Sequence, residues 1–248
     1  MTGELARDFF DLQLSFAETV RDLSGEPLET ALLRHTNLYV RFGFGRDFDA
    51  EHEGWRRYLA GLRRAADRGD WTYRFHLETR RRDAAPRVLA TFGCFSYARP
   101  DERHVRLHFR NAEPGGRSPL GRARAQRRRR ELAALFAHLE PRVGREAPVV
   151  GASWLYNLPA YRRLFPPGYL SSARPVPDAF HSMALWGQFL DRRGRVRARM
   201  ARSFLDALAG TSQVVDLGRC FPFQALRVTA PVGAFRAFYR ERARIDRW

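Results

Sequence analysis

The sequence predicts an α+β fold in which a single mixed, largely antiparallel sheet is flanked by helices and preceded by a helical N-terminal extension. Three features of the 248 residues predict it. Apolar side chains recur every three or four positions near the N-terminus, and they alternate at every second position in several later segments. A glycine-rich loop then leads from a strand into an arginine-rich helix, and a further strand and helix follow. This segment, from His104 to Tyr169, organises the prediction.

Residues 1–35 are predicted to form the helical extension, and residues 36–248 are predicted to form the main domain. The first helix carries apolar residues at helical spacing and ends at Gly25, a residue type that suits the end of a helix. A second, shorter helix follows Pro27 and continues to about His35. The apolar positions of the first helix are Leu5, Phe9, Leu12, Phe16, Val20 and Leu23.

Strands and helices alternate in the rest of the chain. Short gaps with turn sequences at 83–86 and 99–102 favour an antiparallel meander in the middle of it. The predicted strands are 38–44, 73–77, 88–97, 105–109, 149–155 and 224–229. The predicted helices are 55–68, a helix after Gly121 with Leu132, Leu135, Phe136 and Leu139 on one face, 160–165, 196–208 and a terminal helix carrying Phe235, Phe238 and Tyr239.

The composition is that of a globular protein, with 44% hydrophobic and 13% aromatic residues. No apolar run approaches the roughly 20 residues of a membrane span. The first residues lack the basic start and apolar middle of a signal peptide, so a cytoplasmic location is expected. The two cysteines, Cys94 and Cys220, are too few for a disulfide framework and are expected to be buried thiols.

The formal net charge is +17, and all 44 basic residues are arginine. Such a surplus favours attraction to polyanions: nucleic acid, an anionic membrane or a phosphorylated cofactor. The alternative is that this protein simply uses arginine wherever lysine would serve. The spread of the charges along the whole chain favours that alternative.

The glycine loop is the part of the sequence that points to a chemistry. The first N–H groups of a helix have no partner within the helix, and its dipole favours negative charge there. A glycine loop between a strand and a helix is therefore a common phosphate site. At this loop Gly121 lets the backbone approach a phosphate, and residues 120–123, which include Leu120, supply N–H donors. An ordinary loop rich in Gly and Pro is the alternative.

Arginines follow the loop in an uninterrupted run, Arg127 to Arg130. Consecutive helical residues point about 100° apart, so part of this run faces inward. Arg128 and Arg129 align with the apolar face of the helix. An inward guanidinium needs a phosphate or carboxylate partner. We expect Arg122 and either Arg128 or Arg129 to contact cofactor phosphates, and the alternative is a solvated face whose stems cover apolar surface.

The element order and two local patterns resemble the GNAT acyltransferase superfamily, whose members transfer an acyl group from coenzyme A to an amine. Its pyrophosphate loop has Gln or Arg, two residues, Gly, one residue, then Gly or Ala. Gly121 and Ala123 match that pattern, and Ser118 stands where Gln or Arg would be. Asn157 follows the fifth predicted strand, as Asn often does in the family, whereas Leu164 replaces the Tyr expected further on.

The resemblance implies an N-acyltransferase that binds acyl-CoA as cosubstrate and transfers the acyl group directly to an amine acceptor. Ser118, Leu120, Gly121, Arg122, Ala123, Arg128, Arg129 and Asn157 would bind the cofactor. Such a reaction needs a base near neutral pKa and is helped by an acid. His108 and Glu113, nearest the cleft the fold would open, are the base candidates. Tyr156 and Tyr161 are the acid candidates.

The alternative function is a non-enzymatic, basic nucleic-acid-binding protein. Its arginines would contact phosphates, and exposed aromatics such as Trp71, Tyr73 and Tyr97 would stack on bases. The sequence contains no recognised nucleic-acid motif. The histidines are scattered without metal-ligand spacing, so no metal is expected.

Overall fold

The computed structural model describes residues 5–79, 88–113, 118–177 and 179–245, with side chains as far as residue 242. The chain forms two compact units. The helical unit comprises residues 1–84 and 177–224, and the sheet unit comprises residues 85–176 and 225–248. Residues 5–35, predicted as an extension, lie in the helical unit. The predicted turn at 83–86 lies outside the described residues.

The helices, in chain order, are α1 (Arg7–Ser24), α2 (Leu28–His35), α3 (Leu38–Arg41), α4 (Glu53–Arg64), α5 (Arg68–Thr79), α6 (Ala125–Val143), α7 (Pro159–Arg162), α8 (Pro167–Ser171), α9 (Met183–Trp186), α10 (Ala198–Ala209) and α11 (Val232–Ile245). The strands are β1 (Ala90–Phe92), β2 (Phe95–Ala98), β3 (Val105–Phe109), β4 (Pro148–Ser153), β5 (Arg174–Pro175) and β6 (Leu226–Pro231). Short 3₁₀ turns lie at Arg122–Arg124, Trp154–Asn157, Ala179–His181, Gly187–Phe189 and Val214–Cys220.

Four helices of the helical unit were predicted. The helices α1, α2, α4 and α10 match the predicted segments, and α1 ends at Gly25, whose φ of 75° is the left-handed conformation that glycine adopts easily. The helix α1 buries Phe9, Phe10 and Phe16 completely. Phe16 lies at the centre of an aromatic cluster, with its ring 5.7 Å from that of Trp186 and 5.9 Å from that of Phe204. Burial of this aromatic stripe is what fixes α1 in the unit.

Two predicted strands in this unit are wrong. Residues 38–44 form the short helix α3 and a turn, and residues 73–77 lie within α5. In α5 the rings of Tyr73 and Phe75 have different neighbours, Phe10 and Phe42 respectively. Residues two apart in a helix point about 200° apart, so a helix packed on two sides has the apolar alternation of a strand.

The sheet unit contains a single six-stranded mixed sheet in the order β1-β2-β3-β4-β6-β5. Neighbouring strands are antiparallel except for β3 and β4, which are parallel. Helices flank the sheet, and α6 and α11 pack on each other with the rings of Phe136 and Phe235 stacked 4.1 Å apart. The predicted class, α+β with a single mixed and largely antiparallel sheet, is confirmed.

The segment 88–97 was predicted as one strand, and this is wrong. It forms the hairpin of β1 and β2, in which Phe92 pairs with Phe95 and only two residues form the loop. The first loop residue, Gly93, has φ of 60°, which a two-residue hairpin loop requires and glycine adopts easily. The strand β3 pairs antiparallel with β2, so a three-stranded meander forms from two of the predicted segments and not from the three that were predicted.

The elements after the meander follow the prediction closely. Both α6 and β4 fall where they were expected, with the four apolar residues predicted for one face of α6 buried. The predicted helix 160–165 is shorter, because α7 ends at Arg162. Pro166 is the N-cap of a separate helix, α8, and Pro167 is its first residue, since proline suits the first turn of a helix and not its interior.

Candidate functional site

The parallel strands β3 and β4 are paired at one end only. Val105 is opposite Val149 and Arg106 is opposite Val150, and these are the pairs that join the two strands. Beyond them, residues 107–109 continue the ladder with β2, and residues 151–153 continue the ladder with β6. Among the described residues, no further pair joins the two strands at their carboxyl ends, which is the place where α/β folds commonly bind ligands.

The helix α6 connects these two strands, and its start presents free backbone donors. The N–H of Gly121 is bonded to the carbonyl of Ser118 and the N–H of Arg124 to the carbonyl of Gly121. Within the described residues, the N–H groups of Arg122 and Ala123 have no acceptor. Both of these residues are exposed, as is Ser118. A Cβ on Gly121 would meet nothing closer than 3.6 Å, so the backbone there is open to a ligand.

The charge at this helix start is the reverse of the usual pattern. Acidic side chains normally stabilise the positive end of the helix dipole. The first turn of α6 has no acidic residue, and the sequence places six arginines between Gly121 and Glu131. Arginines at this end repel the dipole and one another, so a bound anion would be stabilised there.

One arginine of the run, Arg128, faces inward and is buried. Its Nη2 donates to Glu113 Oε1 at 2.7 Å and to Glu131 Oε1 at 2.8 Å, and its Nη1 contacts the sulfur of Cys94. We call these four residues the Arg128 cluster. The prediction that Arg128 binds a cofactor phosphate is corrected by this geometry, because two carboxylates already occupy the guanidinium.

Glu113, predicted as a base, belongs to the same cluster. Its side chain is 2% exposed, and besides Arg128 it lies 3.6 Å from Arg124 Nε and 3.5 Å from Arg127 Nη1. All three guanidiniums belong to α6 or to the turn that leads into it, so the carboxylate is already engaged within the protein. Its structural effect is to tie the loop after β3 to the first turns of α6.

The acid candidates Tyr156 and Tyr161 are buried in the core of the sheet unit. Together with Tyr169 they form a tyrosine cluster, in which the hydroxyls of Tyr156 and Tyr169 are hydrogen-bonded at 2.9 Å. Burial raises the pKa of all three phenols above its usual value, and the neighbouring tyrosines raise it further for Tyr156 and Tyr161. Neither candidate lies where a substrate could take its proton, so both are dropped as acids.

The tyrosine cluster also explains a glycine in β4. A Cβ on Gly151 would lie less than 3.0 Å from the hydroxyl oxygens of Tyr156 and Tyr169. Glycine is therefore required at this position by close packing, not by its φ angle. The cluster covers β4 at the point where that strand has left β3.

The remaining predicted residues lie on three different elements. His108 lies on β3, partly buried, on the opposite side from Val105 and Leu107 as expected from the alternation. Arg129 is partly buried. The side-chain amide of Asn157 donates to the carbonyl of Trp154 at 2.8 Å and so stabilises its own 3₁₀ turn.

The sequence did not indicate a role for Arg163, which contacts Leu120. Leu120 is partly buried, and its carbonyl accepts a hydrogen bond from Arg163 on the segment after α7. Arg163 thus holds the loop in place and adds positive charge near it. Glu131 was also missed, although its position three residues after Arg128 on the same helix face could have indicated the pair.

Comparisons of this chain with family models, curated proteins and solved structures give no match. Among the described residues, no group of three or more His, Cys, Asp or Glu side chains is arranged to hold a metal ion. No helix in the described ranges has the length and apolar character needed to cross a bilayer.

Proposed function

We propose that the sheet unit is an acyltransferase domain that binds an acyl-CoA-type thioester and transfers its acyl group to an amine. The observation that carries the proposal is the one-ended pairing of β3 and β4, with an exposed, arginine-rich helix start on the connection between them. The free N–H groups of Arg122 and Ala123 and the open backbone at Gly121 support a diphosphate site.

In this proposal the chain contributes binding and orientation more than acid–base groups. Backbone N–H donors and the Arg122 side chain would hold the diphosphate, and the thioester arm would lie along the carboxyl ends of β3 and β4. Direct transfer then depends on holding the amine close to the thioester carbonyl. Of the four acid–base candidates, His108 alone keeps a role, as the base that takes the proton of the amine.

The alternative of a nucleic-acid-binding protein is supported by the net charge of +17. The aromatic residues expected to stack on bases do not support it. Tyr97 is 3% exposed, the indole N–H of Trp71 is bonded to the carbonyl of Tyr58, and Tyr73 packs on Phe10. Any binding of nucleic acid by the described residues would rest on phosphate contacts, and it would weaken steeply with salt.

The test is binding of coenzyme A and acetyl-CoA to the full chain by calorimetry and thermal shift. The variant Ala123→Asp places a carboxylate beside the proposed diphosphate at the positive end of α6, where it stabilises the helix and repels the ligand. We expect it to weaken binding about ten-fold or more. The matched control Ala134→Asp, exposed further along α6, leaves binding unchanged.

A single-stranded oligonucleotide at about 50 mM and about 300 mM salt separates the two functions. The acyltransferase is supported if coenzyme A binds and if Ala123→Asp weakens that binding whereas Ala134→Asp does not. If about 1 mM coenzyme A has no effect and the oligonucleotide binds with steep salt dependence, the nucleic-acid function replaces it. Absence of both responses contradicts both functions.

A further inference from the structure

The helical unit contains a cavity of about 360 Å³ that the proposed acyltransferase function does not use. It is lined by Phe42, Gly43, Phe44, His52, Arg57, Glu78 and Thr79, all within residues 42–79. A volume of this size is typical of small-molecule sites. Its lining combines aromatic rings with one cationic and one anionic side chain.

The aromatic part of the cavity is held rigidly. Phe42 is buried, and its ring lies 5.8 Å from that of Phe44 and 5.0 Å from that of Phe75. The ring of Phe44 lies 4.4 Å from that of His52. A Cβ on Gly54 would lie 2.6 Å from the ring of Phe44, so glycine leaves the space that the phenylalanine needs. These contacts form a fixed apolar surface that suits an aromatic or large aliphatic group.

His52 presents a defined hydrogen-bond donor at the same cavity. Its Nδ1 accepts the backbone N–H of Gly54 at 3.1 Å, at the start of α4. A neutral imidazole with an acceptor at Nδ1 carries its proton at Nε2. His52 and Arg57 both line the cavity, so both can supply N–H donors to a ligand there.

The two charged residues have opposite signs and are not paired with each other. The guanidinium carbon of Arg57 lies 5.3 Å from the ring centroid of Phe75, and Glu78 lies on α5. Among the described residues, neither takes part in an ion pair within 4.0 Å, although the described surface has many such pairs. Both residues are exposed and line the same cavity, so a cation and an anion are available there to a ligand that carries both charges.

We infer that this cavity binds a zwitterionic α-amino acid with an aromatic or large apolar side chain. Its carboxylate contacts Arg57 and the N–H of His52, because guanidinium and N–H donors suit a carboxylate. Its ammonium contacts Glu78 and the hydroxyl of Thr79. Its side chain packs on Phe42 and Phe44. The site lies within the helical unit and does not depend on the function proposed for the sheet unit.

The experiment is calorimetric titration of the full chain with three probes of similar size. L-phenylalanine carries both charges, hydrocinnamate lacks the ammonium and phenethylamine lacks the carboxylate. We expect each analogue to bind about ten-fold more weakly or worse, because each loses one charge-assisted contact. This comparison uses the unmodified protein, so it does not depend on the folding of any variant.

Two substitutions assign the charges. Arg57→Met should remove the preference for L-phenylalanine over phenethylamine, and Glu78→Gln should remove its preference over hydrocinnamate. The control is Arg56→Met, an exposed neighbour that does not line the cavity. The inference is overturned if L-phenylalanine at about 10 mM gives no heat, if it binds no more tightly than both analogues, or if Arg56→Met acts like Arg57→Met.

Discussion

Gly151→Ala should strongly destabilise the sheet unit, because the added methyl group has no space. It would lie less than 3.0 Å from the hydroxyl oxygens of Tyr156 and Tyr169, and both tyrosines are buried. Forcing an extra carbon into a packed core costs about 1–3 kcal/mol. If the tyrosines move apart, the 2.9 Å hydrogen bond between them is lost, at about 1–3 kcal/mol more. We therefore expect a loss of about 3 kcal/mol or more.

The loss is measured as the change in the free energy of unfolding, from urea titrations followed by circular dichroism. The matched control is Gly168→Ala on α8, where a Cβ meets nothing within 4 Å. That change should be neutral or stabilise by up to about 1 kcal/mol, because alanine is the better helix residue.

A double-mutant cycle with Tyr156→Phe tests the cause. Removing the Tyr156 oxygen relieves one of the two clashes, so Tyr156→Phe should cost at least about 1 kcal/mol less in the Gly151→Ala background than alone. The reasoning is refuted if Gly151→Ala costs less than about 1 kcal/mol, or if the two changes are additive.

Two further predictions concern buried polar groups. Arg128→Met should cost about 3–5 kcal/mol in urea unfolding, since it leaves the buried carboxylates of Glu113 and Glu131 without their shared partner; Arg130→Met, exposed on the same helix, should change stability by less than about 0.5 kcal/mol, and equal effects would contradict the role of the Arg128 cluster. Burial raises the pKa of the tyrosine cluster above the unfolded value of about 10, so the stability that these phenols contribute is fully present below about pH 10 and is lost above it, by up to about 1.4 kcal/mol per pH unit for each phenol. The free energy of unfolding, measured between about pH 9 and 11.5, should fall less steeply with pH in Tyr156→Phe than in the unmodified protein. If the folded protein shows phenolate absorbance from the cluster near pH 10, the raised pKa of these tyrosines is contradicted.

The elements that were predicted correctly are those in which the spacing of the apolar residues fits only one type of secondary structure. The helix α6 repeats Leu132, Leu135, Phe136 and Leu139 at helical spacing, and only one face of it is covered. The strand β3 alternates between buried Val105 and Leu107 and more exposed neighbours. In such cases the period of the apolar residues directly reflects the geometry of the backbone.

The predictions of secondary structure failed where a segment is buried on more than one side or is apolar along most of its length. The helix α5 contacts different neighbours through Tyr73 and Phe75, so its apolar residues alternate like those of a strand. The segment 88–97 is largely apolar, and this concealed the hairpin loop at Gly93. The signal was present, because a glycine opening a two-residue loop between apolar runs is typical of a hairpin.

The candidate site was predicted in part. Counting helical positions indicated that Arg128 or Arg129 faces inward, and Arg128 is the buried one. Its partner was not predictable, because Glu113 is 15 residues away and reaches it by the path of a loop. The same limit applies to Tyr156, whose aromatic neighbours on two later segments decide that it is buried.

The sequence by itself determined the α+β class, the long helices other than α5, and the basic, glycine-led start of α6. These properties depend on local periodicity, on turn residues and on charge, which are all encoded by neighbouring positions. Only the tertiary structure decided that β3 and β4 pair at one end, that Glu113 occupies Arg128, and that Arg57 and Glu78 stay apart at one cavity. Each of these depends on distances between segments remote in the chain, and local propensity does not specify such distances.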